Sequence, residues 1–292
     1  MKQRYGSIVR RSVRALALLL TPGRRQAATL YALLDQSTFL GERTRYLNLG
    51  WWDGAANFDN AGDALAEQVG LAAGMAEGDT VLDVGFGFGD QDEYWLRRFR
   101  PARIIGLNIT PVHVEVARRR FPDPRLDLRL GSATAMEVAD SSVDRVVALE
   151  CAFHFSTRED FFREAFRVLR PGGRIATADL LPRPGRHALR ARLFSAGAQA
   201  FFQVPPENWY GIDSYVRRLE AQRFVGIDVR SVRERVVVPF ASAARRLLRS
   251  PTAAKRWSVP IRWAAPLLAD RWLDGMDYVL ASACKPAGSL PR

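Results

Sequence analysis

An α/β fold, with a mostly parallel sheet covered by helices on both faces and with helical caps, is predicted by three observations. Short apolar runs alternate with amphipathic segments between Thr80 and Asp179. The first run ends in glycines at alternate positions, Asp83-Val84-Gly85-Phe86-Gly87-Phe88-Gly89. No internal repeat or low-complexity tract offers a solenoid or propeller instead. Strands alternating with helices at this spacing imply βαβ units and hence a parallel sheet. A chain of 292 residues, 48% apolar and 25% charged, can bury a full core.

The chain opens on a basic stretch, Lys2, Arg4, Arg10, Arg11, Arg14, Arg24 and Arg25, around an apolar run too short to span a bilayer. Val9, Val13, Leu16 and Leu20 share one helical face, so this helix packs on the body or lies on an anionic membrane surface. The Arg10-Arg11 pair also loosely resembles an export signal. A second apolar segment, 27–34, leads to the aromatic cluster Tyr46-Leu47-Asn48-Leu49-Gly50-Trp51-Trp52. Residues 61–71 read as a helix that the glycines of 74–78 end.

The period then changes. Thr80–Val84 reads as a buried strand and 90–100 as a helix. Arg103–Asn108 is the next strand, and Pro111–Arg120 a helix that proline can open. Leu126–Leu130 and Val143–Leu149 supply two more strands, followed by a helix over 158–169, the turn Pro171-Gly172-Gly173 and a strand over 174–179. Beyond Asp179 the rhythm breaks. Residues 183–203 and 211–222 read as helical cap, 225–238 as a long strand, 241–275 as further cap and 278–284 as the last strand. The expected division is an N-terminal arm, 1–70, and a main domain, 71–292, with cap insertions near 183–222 and 241–275.

Composition narrows the function classes. The net charge is +12, but lysine occurs only at 2, 255 and 285, and the arginines are scattered among acids. No basic stripe with interleaved aromatics appears in one element, which argues against nucleic acid as partner. Two cysteines, Cys151 and Cys284, make neither a disulfide framework nor a zinc set, and no clustered His, Cys and carboxylate group has metal-ligand spacing. A reduced cytoplasmic setting is expected, with membrane association through residues 1–34 as the alternative.

Glycines where a strand turns into a helix let the backbone approach a ligand at the sheet's carboxyl edge. A nicotinamide dinucleotide site would need G-x-G-x-x-G and an acid at the end of the second strand. This chain has G-x-G-x-G preceded by Asp83, and Asn108 at that strand end. An acid-x-G-x-G-x-G turn of this form resembles the first motif of the class I S-adenosylmethionine-dependent methyltransferases. The resemblance spans about 46–181 plus the last strand, and the fold it implies is a Rossmann-like sheet of seven strands. It implies that Asp83, Gly85, Gly87, Gly89 and Gln91 cradle the cofactor, that Asn108 and Ile109 meet the ribose side, and that Ser132 and Ala133 meet adenine. Asn108 stands where the family usually has an acid, and Ser132 where Asp is commoner.

The run Ala148-Leu149-Glu150-Cys151-Ala152-Phe153-His154-Phe155 follows the fourth strand, where the family places residues between cofactor and acceptor. Similar O-methyltransferases often have two adjacent histidines there; Phe153 replaces the first. Histidine occurs only at 113, 154 and 187, and an imidazole of pKa near ~6.5 suits removal of a hydroxyl proton. His154 is therefore the expected base, or else a packed histidine under the cap. Asp179 is expected to face the acceptor, or to cap the next segment, and Glu150 to meet the cofactor's amino-acid end or a cap arginine. Tyr46 and Trp52 resemble the segment that closes over the sulfonium, whose charge aromatic faces stabilise. The caps are rich in Trp, Phe, Leu and Arg, which suits a hydrophobic small-molecule acceptor: a polyketide, macrolide, terpenoid or lipid-like compound. From the Tyr46–Trp52 segment through the glycine turn to Pro111 the chain looks most like the enzymes that O-methylate macrolide sugars and related natural products, so O-methylation is the first expectation. C-methylation of a sterol, isoprenoid or acyl lipid, an NAD(P)-dependent oxidoreductase and a non-catalytic membrane-associated binding protein are the alternatives.

Overall fold

The computed structural model describes residues 41–183, 199, 202–249 and 275–288. The expected N-terminal amphipathic helix, the apolar segment 27–34 and most of the caps at 183–203 and 241–275 lie outside the described residues. Among the described residues, no helix is long and apolar enough to cross a membrane.

Helix α1 (Phe58–Ala73) starts where the Asn57 side chain accepts from the Asn60 amide, and ends at Gly74, whose φ of 61° is left-handed. Strand β1 (Thr80–Val84) runs into α2 (Asp90–Arg98), and β2 (Arg103–Asn108) into α3 (Pro111–Arg120). Strands β3 (Leu126–Leu130) and β4 (Val143–Leu149) precede α4 (Arg158–Val168), which Thr157 caps through the Asp160 amide. Then come β5 (Leu169–Pro182), α5 (Ile212–Ala221), β6 (Val225–Ser231), α6 (Arg233–Arg249) and β7 (Met276–Cys284).

These strands form one seven-stranded sheet of order β3-β2-β1-β4-β5-β7-β6. The pairs from β3 to β5 are parallel, and β7 is antiparallel to both β5 and β6. Along β7, Tyr278 and Leu280 enter one hydrophobic cluster, while Val279 and Ala281 enter the other. That two-residue alternation splits the core into a layer under α1, α2 and α6 and a layer under α4 and α5. The strand order reverses between β1 and β4, which opens a crevice at their carboxyl ends.

Three elements depart from the sequence expectation. The Pro171-Gly172-Gly173 turn lies inside β5: pairing with β4 jumps from Val143–Leu169 to Arg145–Arg174, and Gly172 takes up the bulge at φ 80°. The valine-rich run at 225–238 is not one strand. It breaks at Val232, whose carbonyl accepts from the Arg235 and Val236 amides, and α6 begins. Val232, Val236, Val237 and Ala243 are buried at helical spacing while Val238 is exposed, so tertiary burial overrode β-propensity. Pro239 sits inside α6 and has no N–H for the Arg235 carbonyl. The Trp52 amide donates to that carbonyl instead at 2.9 Å, which fastens the aromatic segment to the helix. Thirdly, α5 was expected as cap, yet it covers the sheet face beside α4, with the Tyr215 hydroxyl 2.7 Å from Thr177 Oγ1 on β5.

Candidate active site

A cavity of about 440 Å³ opens at the crevice between the carboxyl ends of β1, β2 and β4. Of the residues singled out from sequence, Tyr46, Gly85, Gly87, Gln91, Asn108, Ile109, Ser132, Ala133, Glu150 and His154 line it. Gly85, Gly87 and Gly89 have φ of 81°, 57° and 85°, a left-handed run that only glycine adopts without strain. A Cβ on Gly85 would fall 2.6 Å from Cys151 Sγ.

Asp83 does not line the cavity. It is fully buried and accepts from Gln91 Nε2 at 2.8 Å, so it holds the glutamine that does. Burial pushes both Asp83 and the neighbouring Asp92 above the carboxylate range, Asp92 further because Asp83 lies beside it. Gly89 also stands back from the cavity, packed against Ala117 and Phe121. Asn108 uses its Oδ1 to accept from the Thr110 amide at 2.9 Å, which shapes the turn into α3.

Glu150 follows β4 with a strained φ of 54°. Its Oε2 accepts from the Leu49 amide at 2.9 Å and the Tyr278 hydroxyl at 2.8 Å, tying the N-terminal segment to the sheet. Burial pushes its carboxyl up to about 8 against the pull of those two donors. His154 closes the single turn Ala152–His154, its ring 4.1 Å from that of Phe153. Burial, with a smaller contribution from Arg158, brings its pKa down to about 4, so the imidazole is neutral at neutral pH.

Two further sequence expectations are corrected. Asp179 does not face the cavity: it is fully buried and its Oδ2 takes a hydrogen bond from Arg158 Nε at 2.8 Å. Arg158, also fully buried, donates further to the Leu180 and Asn208 carbonyls. Asn208 in turn donates to the Phe153 and Phe155 carbonyls, so this network holds the His154 turn to the segment after β5. Trp52 also turns away. Its indole donates to the Leu49 carbonyl at 2.9 Å and its ring meets Phe58 edge-on. The aromatic rings at the cavity are instead those of Tyr46, Phe88 and Phe155.

Sequence reading missed Arg45, Asn48, Asp90 and Gln203, which also line the cavity. Asp90 is paired with both terminal guanidinium nitrogens of Arg120, at 2.6 and 2.7 Å. Both amide atoms of Asn48, and both of Gln203, are buried without a partner. Asn48 lay within the quoted aromatic motif and was legible as a neighbour of Tyr46. Gln203 carried no sequence signal, because only the fold brings the segment after β5 over β4.

Residues 82–177 match the model of the methyltransferase domain family. The order of strands, the glycine turn and that match together define a class I S-adenosylmethionine-dependent methyltransferase, and the chain belongs to that family. Its methyl donor is S-adenosylmethionine. Among its relatives is the erythromycin 3''-O-methyltransferase of Saccharopolyspora erythraea, 38% identical over 256 residues, which cover 82% of this chain and 84% of that one. The 27-O-demethylrifamycin SV methyltransferase of Amycolatopsis mediterranei is 33% identical over 164 residues, 54% of this chain and 58% of that one. The crystal structure of geranyl diphosphate C-methyltransferase from Streptomyces coelicolor superposes with a TM-score of 0.73 at 19% identity, covering 91% of this chain and 98% of that one. At that identity the likeness concerns the fold.

Proposed function

We infer that the chain methylates a hydroxyl group of a hydrophobic small molecule of the polyketide or macrolide kind, with His154 taking the acceptor's proton. The observation that carries this reading is the neutral His154 imidazole in the same cavity as the glycine turn. The O-methyltransferase name of the relative that matches over most of both chains supports it.

The residues present fit the cofactor. Gly85 and Gly87 line the cavity with bare backbone at left-handed φ, a Cβ on Gly85 would strike Cys151, and the orphaned Asn48 amide awaits polar partners. Tyr46, Gln91 and Glu150 would hold the amino-acid end, Asn108 and Ile109 the ribose side, and Ser132 and Ala133 the base. Asp83 acts through Gln91. When bound, S-adenosylmethionine supplies an electrophilic methyl group on a positively charged sulfur.

The chain's own part is placement, exclusion of water and one proton transfer. The acceptor hydroxyl must lose its proton as its oxygen attacks, and a neutral imidazole can accept it. A pKa near 4 makes His154 a weak base, and Arg158 and Asn208 keep its turn in place.

Titration calorimetry with S-adenosylmethionine is the first test, and the Asp83→Ala variant should bind more weakly. His154→Ala should keep that affinity while methyl transfer to an erythromycin lacking its 3''-O-methyl group falls at least ~100-fold. Unchanged turnover would place the base elsewhere. A C-methylated rather than an ether product would overturn the O-methylation reading.

A further inference from the structure

A pair of acids lies behind the glycine turn. Asp83 stands near the end of β1 and Asp92 in the first turn of α2, and both are fully buried. Their carboxyl groups are in hydrogen-bonding contact with one another, while no other donor reaches either oxygen of Asp92 or Oδ1 of Asp83. Two carboxyl groups meet in this way only with a proton between them, because an ionised carboxylate accepts and cannot donate. Among the described residues no arginine, lysine or histidine acts on either group, and a buried acid without a counter-charge keeps its proton.

Gln91, the second residue of α2, connects this pair to the cavity. Its Nε2 donates to Asp83 Oδ2 at 2.8 Å, which leaves its Oε1, with no hydrogen bond from the described residues, as the end the cavity meets. A carbonyl oxygen backed by two acids suits a cation. The cofactor carries two, and only the ammonium of its amino-acid end has N–H donors for that oxygen; the sulfonium has none. The other ionisable groups around the pair have partners of their own. Asp90 faces Asp92 from the same turn and is neutralised by Arg120 of α3, with Arg45 beside them. Tyr46 donates to Asp63 of α1. Cys151 acts on Asp83 from the segment after β4, its thiol donating to the Val84 carbonyl, and the adjoining Glu150 is bound to the Leu49 amide and the Tyr278 hydroxyl.

We propose that Asp83 and Asp92 share one proton before the cofactor binds and release it when the cofactor's ammonium docks on Gln91 Oε1, so that binding of the methyl donor is linked to pH and Asp92 is a positioning residue for it. The ammonium polarises the Gln91 amide, whose N–H becomes a stronger donor to Asp83 and favours its ionised form. One O–H bond breaks, and solvent takes the proton. This rests on the reading that Gln91 meets the cofactor's amino-acid end and is independent of the acceptor. Binding that releases a proton tightens as pH rises, by up to ~10-fold per pH unit while the free protein holds that proton, and levels off above that range.

Titration calorimetry of the full chain without acceptor, in buffers of different ionisation enthalpy, counts the protons released. The probes are S-adenosylhomocysteine, which keeps the ammonium but has no sulfonium, and methylthioadenosine, which lacks the amino-acid end. Between about pH 5.5 and 7, below the range in which an α-amino group itself titrates, wild type should release close to one proton on binding S-adenosylhomocysteine and none on binding methylthioadenosine. Asp92→Asn gives Asp83 a permanent N–H donor, and Asp83→Asn gives one to Asp92 while its carbonyl still accepts from Gln91. Each variant should abolish the release and flatten the dependence of affinity on pH, whereas a proton coming from Glu150 would still be released in both. Infrared difference spectra of wild type carrying isotope-labelled aspartate test the same step however the variants fold: a protonated aspartate carbonyl band should vanish when S-adenosylhomocysteine binds. The proposal is overturned if that band is absent or persists, if wild type releases no proton or releases as much with methylthioadenosine, or if a folded variant still releases it. Those outcomes leave the methyltransferase reading standing; failure of wild type to bind S-adenosylhomocysteine at all brings down both.

Discussion

The Asp179→Asn variant separates a structural role for this carboxylate from the acceptor-facing one its place in the sequence suggests. Asn keeps the shape and one acceptor oxygen but removes the negative charge. Arg158 would then remain fully buried, still donating to the Leu180 and Asn208 carbonyls, with no counter-charge within reach among the described residues. Leaving one member of a buried pair uncompensated costs about 3–5 kcal/mol, a large part of a typical folding free energy of roughly 5–15 kcal/mol. Replacing both members with apolar groups, as in Arg158→Met with Asp179→Leu, should recover part of that loss, because both desolvation penalties vanish together while the Leu180 and Asn208 carbonyls lose their donor. Denaturant unfolding gives the stabilities, and titration calorimetry gives the cofactor affinity. The expectation for Asp179→Asn is a strongly lowered midpoint, near-normal S-adenosylmethionine binding below it, and a turnover defect that follows the loss of folded protein. A variant of wild-type stability whose kcat falls ~100-fold would refute the reasoning and return Asp179 to the acceptor.

Two further outcomes follow from the same network of anchors. The Glu150 carboxyl has a folded pKa of about 8 against an ordinary 4.5, so the stability linked to its proton is fully present below 4.5 and is lost as pH rises toward 8. Glu150→Gln should remove that part of the decline, seen as a flatter stability profile over this window; an unchanged profile would mean that Glu150 is ionised in the folded protein. Asp59 is buried and accepts from the Glu42, Arg43 and Thr44 amides and from the Thr44 hydroxyl. Burial raises its pKa, but those donors together carry it below the ordinary value, so the stability it confers is lost as pH falls through that lowered pKa. Asp59→Ala should free the 42–44 amides to exchange, cost about 1–3 kcal/mol and weaken S-adenosylmethionine binding through the adjoining Arg45–Asn48 wall. Protected 42–44 amides in that variant would show that the segment is held by other means.

Local pattern made the sheet legible. The β1 to β4 boundaries follow from short apolar runs set against amphipathic helices, because a buried parallel strand and a half-buried helix impose different periods on the chain. The glycine turn was legible because its left-handed backbone admits few other residues. His154 and Glu150 were singled out because they follow β4, where the resemblance to the methyltransferases places residues between cofactor and acceptor and where a parallel sheet presents its strand ends to the ligand.

Only the tertiary structure decided the partners. Asp179 reads from sequence as a strand-end acid that faces the acceptor or caps the next segment; its Oδ1 accepts from the Leu180 amide, and its partner Arg158, distant in sequence, holds it in the core. The 225–238 valines suit a strand, yet the core under α6 turns half of them into a helix. Gln203 has no motif at all, and its open amide matters only because the chain after β5 returns over the His154 turn. The sequence by itself determined the class of fold and the place where a nucleoside-bearing cofactor lies, since both depend on backbone conformation and period. Which charges face the acceptor and which are spent holding the wall in place depends on contacts between distant segments, and only the folded chain brings those together.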